Sequence, residues 1–304
     1  MKRRSRARTV RLSFALTFGS MLLIFVIAIT LLPGGVAIVT KHIPATIPAY
    51  DGLISRYAPY DALQVSFNNF TAIRGINQSA LLGQTYLTFT NPRTNITVAS
   101  IESRTTVVLS KPNATVDVVI LSPGAFASAF SVFNQSGLQS TRVGMNVLYF
   151  ASELSFGKTI TGWVSMLSGS RAFVSSTGDT SQGAVSMVLD VYDGSQSSLI
   201  SKTEVQRSLY VLNGTDNHLG IGIQNYAGTV TSGKITLITI DEVSNSLAIN
   251  YAVKFSNSTF ASSQIGYFER VYIIAGKFVS YDDVLLARET QPLSALTKAI
   301  VLVG

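Results

Sequence analysis

Hydrophobic positions along this chain fall into three regimes. From Leu12 to Leu32 they run for 21 residues without a charge; from about Asp61 they come in short runs interleaved with Ser, Thr and other polar residues; between lies a Pro-bearing stretch with neither pattern. At about 1.5 Å of rise per residue the first regime makes a helix roughly 32 Å long, matching the roughly 30 Å hydrocarbon core of a bilayer. Lys2, Arg3, Arg4, Arg6, Arg8 and Arg11 precede it. Cations stay on the cytoplasmic side, so the pattern predicts a single-pass protein with its N-terminus inside and its C-terminal domain extracytoplasmic. The apolar run exceeds the roughly 7–15 residues of a cleavable signal, which reads as a retained signal anchor, although Gly35-Val36-Ala37 has the form of a cleavage site. Pro33-Gly34-Gly35 ends the helix.

Residues 1–40 are thus a basic tail plus transmembrane anchor, and 41–60, with Pro44 and Pro48 four apart, an extended stalk. The third regime predicts a mainly β ectodomain of two β-sandwich-like domains, 61–140 and 141–304. In the first domain, strands are expected at Leu63–Phe67, Thr85–Thr90, Thr94–Ser100, Arg104–Leu109 and Thr115–Leu121, with turns at Asn91-Pro92-Arg93 and Lys111-Pro112-Asn113. One short helix near 123–133 interrupts them: Ser122 is a good cap, Pro123 suits the first position, and Phe126, Phe130 and Phe133 form a core-facing stripe. Asn134–Arg142 is polar and marks the boundary. Beyond it, strands are expected at Asn146–Ser152, Lys158–Ser165, Ala172–Ser175, Ala184–Tyr192, Ser208–Leu212, Leu219–Gln224, Lys234–Ile240, Leu247–Phe255, Tyr267–Ile274, Lys277–Tyr281 and Ala299–Val303. The last closes a sheet internally or is donated to a neighbour.

The net charge of +7 changes little once it is located. Six of the 23 Lys and Arg lie in the tail, leaving 17 against 16 Asp and Glu over the rest, so no basic stripe invites nucleic acid. There is no Cys, which excludes disulfides, Cys-ligated metals and cysteine nucleophiles. Asn-x-Ser/Thr triplets occur at Asn69, Asn77, Asn95, Asn113, Asn134, Asn213 and Asn257, seven where composition alone places about three. All follow the anchor, on the side where glycosylation takes place, and an archaeal surface would combine glycosylation with the absence of disulfides.

Catalytic and metal chemistry finds little purchase. The two His, His42 in the stalk and His218 in a polar turn, have no partner by spacing. Ser155-Phe156-Gly157-Lys158 matches S-x-x-K but sits in β pattern and reads as a sheet edge. Asp190 and Asp193 end a strand in an Asp-Gly turn; Asp241-Glu242 and Asp282-Asp283 read as solvated strand ends; Gly220-Ile221-Gly222 lacks the third glycine of a dinucleotide loop. No catalytic, cofactor-binding or metal-binding residue is assigned, and no cofactor is expected. The expected function is a membrane-anchored, glycosylated, non-catalytic cell-surface module for envelope structure, adhesion or assembly. Its partners would be the bilayer through residues 12–32, other envelope or membrane proteins, and a second copy of itself. The alternatives are a non-catalytic accessory subunit of a membrane enzyme complex, and a surface hydrolase using Ser155 or Asp190.

Overall fold

The computed structural model describes residues 40–50, 52–76, 85–155, 157–213, 217–225, 233–264, 279–296 and 299–300. In chain order its elements are β1 (Thr40–Lys41), α1 (Leu53–Tyr57), β2 (Gln64–Asn68), α2 (Phe70–Ile76), β3 (Thr85–Asn91), β4 (Arg93–Thr97), β5 (Ile101–Leu109), β6 (Ala114–Leu121), α3 (Pro123–Gln135), β7 (Ser140–Val143) and β8 (Asn146–Ser155). They continue with β9 (Lys158–Leu167), β10 (Ala172–Thr177), α4 (Ser181–Tyr192), α5 (Thr203–Leu212), β11 (Gly220–Asn225), β12 (Gly233–Val243), β13 (Ser246–Phe255), α6 (Ser258–Ser263), β14 (Val279–Tyr281) and β15 (Val284–Pro292). The protein is therefore mainly β with few helices. Among the described residues 15 strands form one hydrogen-bonded sheet in the order β1-β14-β15-β13-β12-β11-β2-β5-β6-β10-β9-β8-β3-β4, with β7 beside β8. Neighbours are antiparallel except β1 and β14.

The middle of the sheet is buried on both faces, and strand parity assigns each side chain to one of them. On β6, Val116, Val118 and Ile120 join one apolar cluster while Val119 and Leu121 join another. On β10, Ala172 and Val174 face the first cluster and Phe173 the second. Buried residues of α1, α4 and α5, Ile54 and Tyr57, Val185 and Leu189, and Val205 and Leu209, cover the first face. The second face carries two separate clusters. One is aromatic, with Phe133 of α3 meeting Phe89 and Phe173 at centroid distances of 5.5 and 5.7 Å. The other gathers Ile238, Ile240, Leu247, Ile249 and Leu296 around Ile73 of α2.

The helix at Pro123–Gln135 forms where the phenylalanine stripe predicts it, with Pro123 in its first turn. Ser122 stands at the cap position without a side-chain cap bond. Two expected strands are helices instead. Ala184–Tyr192 is most of α4, where Ala184, Val185, Val188, Leu189 and Val191 are buried on one stripe. Ser208–Leu212 ends α5, which buries Val205, Ser208, Leu209 and Leu212. Val and Tyr suggest strand in both places, and burial against the sheet decides for helix. Ala299 and Ile300, expected to open a strand, are helical. Strand β15, which sequence analysis leaves unassigned, pairs with β13 along nine residues.

The ladder does not divide at residue 140. Strands β2, β5 and β6 sit in its interior, flanked by β11 on one side and β10 on the other. Nor does the Pro-bearing segment stand free: Ile43, Ile54, Tyr57 and Ala58 are buried in the first-face core. Among the described residues no helix is long and apolar enough to cross a membrane. Leu12–Leu32, the basic tail, Asn77 and Tyr267–Ile274 lie outside the described residues.

Candidate functional site

The richest set of charged contacts lies where the chain enters the fold. Thr40 and Lys41 pair in parallel with Ser280 and Tyr281. The next turn of the chain is held by Asp282, whose backbone takes the left-handed φ of 50° in the β14–β15 turn. Its carboxylate accepts from His42 Nδ1 at 2.7 Å and from the Ile43 backbone N–H at 2.9 Å, while its own N–H donates to the Lys41 carbonyl at 3.1 Å. The amide of Ile43, then the ring of His42, hold the Asp282 carboxyl below its ordinary range. Arg207 of α5 bridges Asp282 at 3.3 Å and Asp283 at 3.2 Å, and the buried Lys254 of β13 reaches Asp283 at 2.9 Å. Five charged or ionisable side chains from four parts of the sequence thus clamp residues 40–43 to the sheet and to α5. By sequence alone His42 falls in an extended stalk and Asp282-Asp283 at a solvated strand end. Neither charge pattern nor spacing carries the contact, because the partners are 240 residues apart.

Farther along α5 a cavity of about 380 Å³ opens between the helix end and strands β12, β13 and β15, with His218, Asp241, Asn250, Leu286 and Arg288 in its lining. His218, 7 % exposed, sets Nδ1 against Asp241 and Nε2 3.2 Å from the Asn213 carbonyl. Asn250 donates to the other Asp241 oxygen at 3.1 Å and to Thr239 at 3.2 Å. Asp241 is therefore not a solvated strand end. Each ring nitrogen of His218 is already placed against an oxygen within the fold. The Asn213 carbonyl ends α5, whose last turn carries partial negative charge, and a ring N–H is the natural partner there.

The remaining candidates scatter. Ser155 and Lys158 face each other across the β8–β9 hairpin as a register pair. Asp190 lies near the end of α4 and Asp193 caps it, so the Asp-Gly turn closes a helix instead of a strand. Gln196 donates to Asp190 at 3.3 Å and Asn146 to Asp193 at 2.8 Å. Gly220 and Gly222 lie within β11. Among the described residues no group of three or more His, Asp and Glu is placed to hold a metal.

The described Asn of the triplets sit at element ends, turns and one outer strand. Asn95 is exposed on β4 at the end of the sheet order, and Asn113 is exposed in the β5–β6 turn. Asn69 and Asn257 precede α2 and α6, accepting from the backbone N–H groups of Ala72 at 2.9 Å and Phe260 at 2.8 Å. Asn134 accepts from the Tyr149 hydroxyl at the end of α3, and Asn213 takes the left-handed position after α5.

No family model and no curated protein matches this chain. Solved structures of TP0453 in crystal forms I, III and IV are similar to it. Their TM-scores are 0.45, 0.44 and 0.43 at 10, 8 and 8 % identity, over 84, 83 and 86 % of this chain and 98 % of that one. A likeness of that degree does not bear on function.

Proposed function

We propose that the chain is a single-pass anchored protein whose β-rich body is held close to the outer face of a membrane and serves there as a structural or interaction module. The anchor is the uncharged run Leu12–Leu32 behind its six cations. The observation that carries the reading is the clamp on residues 40–43. Residues 33–39 are all that separate the run from the first sheet-paired residue, a reach of at most about 25 Å fully extended. A flexible stalk would let the body swing away from the bilayer, whereas this attachment transmits the anchor directly into β14, α5 and β13.

Glycosylation belongs to the same reading. A glycan takes the side-chain amide nitrogen of Asn, and at Asn134 and Asn257 the carbonyl oxygen already bonds within the protein, an arrangement that a sugar leaves intact. Intact cells treated with an added protease, followed by mass spectrometry of a detergent extract, test the proposal. Digestion of residues 50–304 from outside, with an intact N-terminal peptide and hexose-bearing Asn peptides, is expected. Protection of that region until the cells are lysed overturns it.

A further inference from the structure

Strands β12, β13 and β15 change character on their first face where the last turn of α5 stops covering it. Register and parity define the change. Leu237, Ala252 and Leu286 align across the three strands and pack in or against the first-face core. Two residues on, the same face presents Thr239, Asn250 and Arg288 in one row, followed by Asp241 along β12. The cavity of about 380 Å³ opens at this transition and therefore has two kinds of wall. Val211 and Leu212 of α5, with Leu286 of β15, form its apolar side. His218, Asp241, Asn250 and Arg288 form its polar side.

Three of those four polar residues are committed to one another. Asp241 receives the His218 ring on one oxygen and the Asn250 amide on the other, and the same amide donates to Thr239. His218 also meets the negative end of α5 at the Asn213 carbonyl, so that charge is answered within the fold. Arg288 is the exception: it is exposed, and among the described residues it has no hydrogen-bond or ion-pair partner. The acids closest to it in sequence and lining do not serve it. Glu289, next in the chain, bonds to Tyr251 and Gln291, and Glu242, which also lines the cavity, alternates with Asp241 and so turns its side chain to the second face. What the cavity leaves open is a guanidinium with five N–H donors, whose fork fits a carboxylate through two parallel bonds. Leu286 is the preceding residue on the same face of β15, roughly 7 Å inward. A cation at the rim and apolar side chains behind it are complementary to a ligand with an anionic head and an apolar tail, and the volume lies within the range of about 300–1,000 Å³ that small-molecule pockets occupy.

We propose that this cavity binds a small aliphatic carboxylate, its head on the Arg288 guanidinium and its tail against Leu286, Val211 and Leu212. The site does not involve the membrane anchor, so it stands or falls separately from the function proposed above. Calorimetry on the full-length chain in detergent, read against a detergent blank, tests it with four probes. These are butyrate, acetate, which keeps the head and shortens the tail, butylammonium, which keeps the tail and reverses the charge, and inorganic phosphate, an anion with no tail. Saturable binding of butyrate, weaker binding of acetate and no saturable binding of the other two are expected. Arg288→Gln should weaken butyrate binding at least tenfold, and Arg288→Lys, which keeps the charge without the fork, should weaken it less. Both variants should melt, unliganded, at the temperature of the parent, since no bond within the fold is removed. Four outcomes overturn the proposal. One is no saturable butyrate binding, as for an arginine that is merely solvated. Another is equal affinity for acetate or phosphate, which would make the apolar wall irrelevant. The third is undiminished binding by Arg288→Gln, which would place the carboxylate elsewhere. The fourth is a lower melting temperature of unliganded Arg288→Gln, which would mean that the guanidinium already serves the fold.

Discussion

Burial, reinforced by the charge of Asp117, holds the Glu153 carboxyl above the ordinary range, so the folded protein favours its protonated form. The stability tied to that preference is fully present below the unfolded value, about 4.3, and is lost as pH rises through the folded one. Glu153→Gln keeps this side chain neutral at every pH. Its melting temperature should exceed that of the parent at pH 7, with the gain vanishing by about pH 4; a gain that ignores pH would place the effect in packing. Asp282 runs the other way. Its carboxyl is held low by the Ile43 amide and His42, so its contribution is present above about pH 4 and is lost as pH falls through the folded value. Asp282→Asn should therefore lower stability at pH 7 and matter less at pH 3, read from the same melts. None of this is legible in the sequence. His42 and His218 look solitary there, because a histidine's partner is set by which strands and turns pack together. Asp282 lies 240 residues from one and Asp241, on the adjoining strand, 23 from the other.

What is legible lies at the scale of elements, and unevenly. Period-two alternation locates β5, β6 and β13 because each buries one or both faces in register with its neighbours. It misplaces α4, since Val185, Val188 and Val191 favour strand in isolation, while their helical spacing together with Leu189 is the pattern the core accepts. It misses β15, whose outer half, Arg288 to Pro292, alternates exposed and half-buried residues with little apolar signal. Two glycines separate these assignments experimentally. Gly183 lies in the first turns of α4, and a Cβ there would meet only Pro112 Cγ at 3.8 Å, an ordinary contact. Gly183→Ala should stabilise by about 0.5–1 kcal/mol in a chemical melt, as alanine does in a helix; a neutral or negative effect speaks against the helix. Gly162 on β9 is the opposite case. A Cβ there would fall 2.1 Å from the Ser176 carbonyl oxygen, so Gly162→Ala must push β9 from β10 and should destabilise strongly.

At the scale of the whole molecule, sequence order and spatial order part company. The polar stretch Asn134–Arg142 looks like a linker because it is polar and bears a glycine, yet the ladder joins the two sides of that position four times. Strand β11 pairs with β2, β10 with β6, β8 with β3 and β14 with β1. Local composition reports how a segment meets solvent and says nothing about which distant strand it joins. A chain cut at residue 140 would leave β2 without β11, β6 without β10 and β3 without β8, breaking three interior pairings and uncovering Val65, Phe67, Val118 and Val174 of the first-face core. Exposed backbone donors and acceptors along these edges, together with that apolar surface, leave neither piece a complete layer. Residues 41–140 and 141–304 expressed separately should therefore lack dispersed amide spectra, whereas the two pieces refolded together should recover the slow hydrogen exchange of β5, β6 and β10. Sharp, dispersed spectra from either piece alone would mean that the interior pairings of β2 and β6 contribute little to folding.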